Sequence, residues 1–419
     1  MNLRDLFIDV FSTLWAHKLR TALTMFGIGW GVVSIVLMVA AGEGLRVGQK
    51  KQTENLGKDI MIVFSGGRTS MQAGGQRAGR RIRWKDYDIP QVEADSPNCK
   101  YVLPELGNNV RIRSQYNNAS LLISGSYPEF ADVRSIAVAQ GSFYNWEDVR
   151  QTRRVAFLGS DAAKQLFPGR NALGETILMA DHPYLVVGVM KKKDQDSSYD
   201  GFDVNKVFVP YTAAREDFPN KPPDDSHSLD RLLIVPNSVE AHMDCKREFR
   251  NSLGRIYTFD PRDKEAAGVW DTVEEAKEFQ KMTDGMKYFL GAVGITTLFL
   301  GAIGVMNVML VAVRERTREI GVRKAVGAPA RSILMQFFLE TCIIVALSGG
   351  GGLLMAFGFC ALVNLAPMPP FFAGLLPTWG SGLLSVGLLG IIAVLAAMYP
   401  ASEAARIDPI EALRYEAGG

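Results

Sequence analysis

Histidine and cysteine are scarce in this sequence, with four of each in 419 residues. His17, His182, His227 and His242 are scattered without metal-ligand spacing, and no HExxH pair occurs. The Walker A signature is missing as well. The one Gly-Lys pair, Gly57-Lys58, has no glycine five residues upstream, so no phosphate cradle can form there. No GxSxG elbow is found. Charge of one sign is not in excess: 46 Lys and Arg stand against 44 Asp and Glu, a net +2. That balance gives no global attraction to nucleic acid, and no nucleic-acid partner is expected. These absences argue against bond chemistry or a resident cofactor in these residues. Cys99 and Cys245 lie between two apolar runs, and Cys342 and Cys360 lie inside a third. An oxidising compartment would permit a Cys99–Cys245 bridge. The sequence leaves that bridge and two free buried thiols equally open.

Long apolar runs are what the chain has in plenty. They cover Thr21–Ala41, Tyr288–Val313, Ile333–Ala366 (interrupted only by Glu340) and Trp379–Tyr399. A helix needs about 20 such residues to cross a bilayer, and all four qualify. The first is too long for a signal-peptide core and follows twenty other residues, so it reads as a retained anchor. Lys and Arg in short loops set orientation. The loop after the second run holds Arg314, Arg316, Arg318, Arg323, Lys324 and Arg331, whereas the loop after the third holds none. Both termini and the charged loop are therefore expected inside the cell, with the long segment after the first run outside.

Ahead of the first run, Leu3, Leu6, Phe7, Val10, Phe11 and Leu14 recur at helical spacing, a helix lying in the membrane interface. The long segment contains short runs rich in Val, Ile, Leu and Phe that read as strands: 59–64, 119–125, 154–158, 176–179, 184–190, 206–209 and 231–235. Helices are expected at 86–94 and 238–253, with a further strand in "RIYTF". The two β-helix-β units suggest a split ferredoxin-like module, with a β-rich insert from about 106 to 211. Ser65 to Arg83 is Gly-rich and basic and reads as a mobile loop, with partner contact as the alternative. A helix from about Asp263 leads into the second span. The expected fold is an α-helical membrane protein with four transmembrane helices and a large extracytoplasmic α+β domain on a helical stalk.

Within the spans, Asn307 and Glu340 are the polar residues that stand out. Glu340 reads as an interfacial residue that pairs with Arg331, and Asn307 as an interhelical hydrogen-bonding group. Gly27 and Gly31 in the first span, and Gly294, Gly301 and Gly304 in the second, suit close helix–helix packing within one subunit or between two.

Three stretches carry a resemblance: "LRTALTMFGIGWGVVSIV", "GVMNVMLVAVRERTREIGVRKAVGAPARSILMQFFLE" and "YPASEAARIDPIEALRYE". Together they are similar to the MacB/LolC/FtsX family of ABC transporter permeases, and Val155–Met190 resembles the external domain of its MacB-like branch. The resemblance implies an interfacial helix at 1–18, spans at 19–42, 286–313, 333–365 and 379–400, and a periplasmic domain with stalk helices at 43–285. A cytoplasmic coupling segment at 314–332, a short periplasmic loop at 366–378 and a cytoplasmic tail at 401–419 complete it. It further implies a bacterial inner-membrane location, a homodimer or heterodimer, and a cytoplasmic ABC ATPase partner that binds ATP and Mg. A periplasmic adaptor and an outer-membrane channel are implied for an exporter. Because only twenty residues precede the first span, the ATPase is expected on a separate polypeptide. Arg314, Glu315, Arg316, Arg318, Glu319, Ile320, Val322, Arg323 and Lys324 are the expected docking residues, with Ile320, Val322 and Val326 entering a groove on the ATPase. The alternative within the same family is an FtsX-like signal relay that activates a periplasmic partner such as a cell-wall hydrolase.

Overall fold

The computed structural model describes residues 18–57, 59–195, 198–221 and 224–414. The interfacial helix expected at 1–18 lies almost wholly outside the described residues. The chain divides into two compact units, 49–279 and 1–48 with 280–419.

The first unit is built on a single sheet. Its strands are β1 (Met61–Phe64), β2 (Cys99–Arg113), β3 (Asn118–Ser126), β4 (Val138–Gly141), β5 (Val155–Leu158), β6 (Thr176–Met179), β7 (His182–Met190), β8 (Val207–Pro210), β9 (Arg231–Pro236) and β10 (Val269–Asp271). The order β10-β1-β9-β2 is antiparallel throughout. Helix α2 (Ile89–Asp95) links β1 to β2 around β9, and helix α7 (His242–Tyr257) links β9 to β10 around β1. Two interleaved β-helix-β units of this kind make the split ferredoxin-like module. Strands β1, β5, β8 and β9 are covered on both faces, and so they read as unbroken apolar runs.

The insert enters and leaves through β2 and β9. The first half of β2 pairs with β9; its second half pairs with β3 and β6. Pro104 falls before the β3 ladder, which begins at Leu106, so only one neighbour needs hydrogen bonds there. The insert also carries the short helices α3 (Phe130–Val133), α4 (Trp146–Arg150), α5 (Ser160–Leu166) and α6 (Tyr211–Asp217).

Three expectations are corrected. "RIYTF" is not a strand: Arg255–Tyr257 finish α7, and Thr258 closes it in the left-handed region at φ 56°. The helix expected from Asp263 starts at Thr272, because Val269–Asp271 pairs with β1 first. Residues 65–83 are not a loose loop. They fold back as a hairpin whose tip, Ala73 to Gln76, needs φ above 50° at both Gly74 and Gly75, a conformation that costs glycine little. Asp263 accepts hydrogen bonds from Ser70 N (2.7 Å), Ser70 Oγ (2.7 Å) and Met71 N (2.9 Å), and Arg80 donates to the Tyr257 and Thr258 carbonyls.

Thr272 closes the module. Its backbone N–H donates to the Ile60 carbonyl (3.1 Å), its hydroxyl donates to the same carbonyl (2.9 Å), and the Ile60 N–H donates to that hydroxyl (3.1 Å).

Where the insert meets the module, charge is buried. Arg134, Lys206 and Arg231 surround the Tyr199 ring at 4.8, 5.1 and 4.9 Å from its centre. The Tyr199 hydroxyl donates to Glu105 (2.7 Å), and Asp203 accepts from Arg134 (2.8 Å). Burial alone would raise the Asp203 pKa, but the charges of Arg134, Lys206 and Lys193 outweigh it and hold the group at about 2.

The second unit holds the four spans in long helices: α1 (Lys18–Leu56), α8 (Thr272–Glu315), α10 (Ala330–Val363) and α11 (Trp379–Arg406). Two shorter helices, α9 (Thr317–Ala325) and α12 (Pro409–Arg414), sit at their ends. Helices α1 and α8, at 39 and 44 residues, far exceed a bilayer crossing and run on into the first unit. Glycines set the approach of α1 to its neighbours. A Cβ on Gly31 would lie 2.7 Å from Leu298, and one on Gly301 would lie 3.0 Å from Ile28. Gly27 faces Gly301, and Gly294 packs on Ile35. Gly29 and Gly352 meet on the α10 side, where a Gly352 Cβ would lie 2.5 Å from the Gly29 carbonyl. Gly27, Gly31, Gly294 and Gly301 thus pack within one subunit; Gly304 is half-buried on α8. The outer loop after α10 docks on α1, with Ala373 N–H donating to Gly44 O (3.0 Å) and Leu376 N–H to Ala40 O (3.1 Å).

Cys99, at the start of β2, is bonded to Cys245 on α7, with Cα atoms 5.0 Å apart and 146 residues between them in sequence. A closed loop of that size stabilises by about 5 kcal/mol in the chain-entropy account. Reduction, or Cys99→Ser with Cys245→Ser, is expected to lower the melting temperature of the external domain by several degrees; an unchanged melt on reduction would refute the cross-link's role. The Asp203 carboxylate has its folded pKa below the unfolded 3.8, so its stabilisation is present above about pH 4 and is lost as pH falls toward 2. The loss is about 2 kcal/mol. Asp203→Asn is expected to flatten urea-unfolding stability over that window while lowering it at neutral pH.

Candidate functional site

The charged segment between the second and third spans is built by two breaks in helix. Helix α8 ends at Glu315, and Arg316 leaves helical geometry before α9 begins. At the far end, Gly327 takes φ 98°, with its N–H on the Lys324 carbonyl and the Ala328 N–H on the Arg323 carbonyl. That paired closure, with glycine in the left-handed position, stops α9 cleanly, and Pro329 then starts α10.

One face of α9 is turned into the protein. Ile320 is 2% exposed and packs with Val313, Ile333 and Phe337. Gly321 lies on α12, where a Cβ would come within 2.5 Å of the Ala412 side chain. Lys324 Nζ donates to the carbonyls of Ala405 (2.6 Å) and Ile407 (2.8 Å), placing a positive charge at the C-terminal end of α11, where the helix dipole favours it. Arg323 pairs with Glu319 and donates to Gln336 Oε1 (2.7 Å). Arg316 reaches Glu340 on α10, 3.6 Å away. Asp408 caps α12 by accepting from the Ile410 N–H (2.7 Å), with Pro409 as its first residue.

The other face is open. Arg318, Glu319 and Val322 (46%) are exposed there, and beside them lie the exposed Arg314 and Glu315 at the end of α8 and Val326 (84%) just past α9. Arg318 and Val322 lie one turn apart, which makes a mixed charged and apolar stripe.

Several expected site residues therefore take other places. Ile320 is core and is not available to a partner's groove. Arg316, Arg323 and Lys324 hold α9 to α10, α11 and the tail. Glu340 faces Arg316 from a buried position; Arg331 is exposed and is not its partner. Asn307 is exposed on α8, with no hydrogen bond to another span among the described residues. Sequence reasoning missed the capping role of Lys324. The signal was present: one lysine in the last turn of a short helix, with a second helix end about 80 residues on.

The architecture is that of a four-span membrane permease with an extracytoplasmic α+β domain. Residues 21–243 match the family described as MacB-like periplasmic core domain, and residues 291–409 match the FtsX-like permease C-terminal domain. The chain belongs to this MacB/FtsX-type family of ABC transporter permeases. It is 30% identical over 408 residues to the macrolide export ATP-binding/permease protein MacB of Bdellovibrio bacteriovorus, covering 97% of this chain and 61% of that protein. It is 29% identical to the uncharacterized ABC transporter permease YknZ of Bacillus subtilis, covering 99% of this chain and all of that one. Thus the chain spans about six tenths of the MacB relative and the full length of the YknZ relative. Among solved structures, the periplasmic region of MacB from Actinobacillus actinomycetemcomitans aligns with TM-score 0.42 at 17% identity, covering 55% of this chain and 97% of that one.

Gly321→Leu, which forces a side chain against Ala412, and Lys324→Met, which removes the α11 cap, are each expected to loosen α12. Tryptic cleavage after Arg406 is the readout, with a rate increase of roughly threefold or more from local opening. Cleavage at the wild-type rate in both variants would show that α9 does not hold the tail.

Proposed function

We propose that this chain is the permease subunit of an ABC-type export complex and works as a lever. A separate cytoplasmic ATPase, which binds ATP and Mg, grips the open face of α9. Its closure on ATP moves α9, and the movement reaches the external domain, which expels substrate from the periplasm or the outer leaflet. The termini and α9 lie in the cytoplasm in this reading. The working unit is a dimer, with an identical or a related permease as the second subunit, and a periplasmic adaptor and outer-membrane channel continue the export path. The relatives named for macrolide export support the export branch, although their names speak only for those proteins.

One observation carries the reading. Helix α8 is a single uninterrupted helix of 44 residues that begins directly after sheet strand β10 and ends one residue before α9. At 1.5 Å per residue it is about 66 Å long. A helix of that kind passes displacement along its axis without a hinge. Lys324 and Gly321 add two further grips, on α11 and α12, so a pull on α9 is shared by three elements.

Arg318→Glu combined with Val322→Glu alters only the open face. The pair is expected to reduce co-purification of the ATPase from native membranes by roughly tenfold while membrane insertion is unchanged. Full recovery of the ATPase with this variant would rule out α9 as the docking element.

A further inference from the structure

The insert of the external domain contains a feature that the lever does not use. A cavity of about 370 Å³ opens between β4, β7 and α5. Phe167 and Met190, both buried, form its apolar wall with Ala163 and Val189. Its rim is cationic, with Lys164, Arg170, Lys191 and Lys192, and no acidic residue lines it among the described residues. Lys164 is paired on its own helix with Asp161 (2.9 Å), and Arg170 lies over the Tyr116 ring (4.5 Å). Lys191 and Lys192 are exposed just past the end of β7, where the Lys191 N–H is fixed on the Ala137 carbonyl (2.8 Å). Ser160 also lines the cavity. It is 7% exposed, and its hydroxyl has no hydrogen-bond partner among the described residues. The hydroxyl oxygen is itself sealed from solvent, so Ser160 closes the floor of the cavity and does not face a ligand.

We propose that this cavity binds an anionic amphiphile, a molecule with one phosphate, sulfate or carboxylate group on an apolar body. The cationic rim holds the anion through charge-assisted hydrogen bonds. The apolar wall takes the ligand's apolar body out of water. A cavity that joins a few convergent polar groups to an apolar wall is the usual form of a small-molecule site. The inference is independent of the lever and needs no ATPase.

The test uses octyl phosphate, titrated into the full chain in phosphatidylcholine nanodiscs and followed by saturation-transfer NMR, with empty nanodiscs subtracted. Saturable binding is expected, with octanoate and octyl sulfate competing and octyltrimethylammonium failing to compete. Lys191→Glu with Lys192→Glu is expected to weaken binding by about tenfold through lost charge. Ala139→Trp, at the exposed mouth, is expected to do the same by filling space without changing charge. An unchanged melting temperature verifies that each variant is folded. The proposal is overturned if inorganic phosphate binds as tightly as octyl phosphate, if the cationic amphiphile competes, or if either folded variant keeps wild-type affinity.

Discussion

Everything outside the membrane depends on the pairing of β1 with β10. The first long helix ends at Leu56 and β1 begins at Met61; β10 ends at Asp271 and the second long helix begins at Thr272. Met61 and Asp271 are register partners, and Thr272 is bonded three ways to Ile60. Two chain segments that are 212 residues apart are therefore locked side by side where they enter the sheet. The split β-helix-β topology makes this possible, because it puts the first and last strands of the module next to each other. An insert of more than 100 residues can grow between β2 and β9 without disturbing that pairing, since β2 lies beyond β9 and β9 meets β1 on the edge away from β10.

Much of this was legible in the sequence, and the reason is burial. Runs such as Met61–Phe64 and Val155–Leu158 are covered on both faces and carry continuous Val, Ile, Leu and Phe. The four spans stand out for the same reason of unbroken apolarity. Where side chains serve two neighbours or none, the pattern fails. Strand β2 changes partners midway and contains Pro104, Gly107, Asn108 and Asn109, so its 15 residues do not alternate cleanly. Strand β10 is three residues long and runs straight into a helix whose periodicity hides it. In the charged helix, residue types suggested a surface, but which face is outward depends on α12, which is distant in sequence, and on Gln336 of the next helix. Ile320 and Val322 look equivalent as letters; packing makes one core and the other surface.

The external domain spends its charges differently from α9. Around Tyr199 they are buried and mutually paired, with Arg134, Lys193, Lys206 and Arg231 against Glu105, Asp200 and Asp203. Such a cluster is intolerant of partial change, because removal of one partner strands another in a dry site. It sits where the insert joins the module and fixes their mutual geometry by charge as well as by strand pairing. On α9 the charges divide into those that bind the helix to its own subunit and those left in water. That division lets one short helix be both anchored and available.

The glycine contacts among the spans have a mechanical consequence. Gly29 and Gly352 bring two backbones together, Gly31 and Gly301 make room for the Leu298 and Ile28 side chains, and the outer loop is hydrogen-bonded to α1 at Ala40 and Gly44. Sliding of α1 against α8 or α10 by even one residue would drive Ile28, Ile35 or Leu298 into a neighbouring backbone. Within a single subunit, the spans therefore interlock as one block.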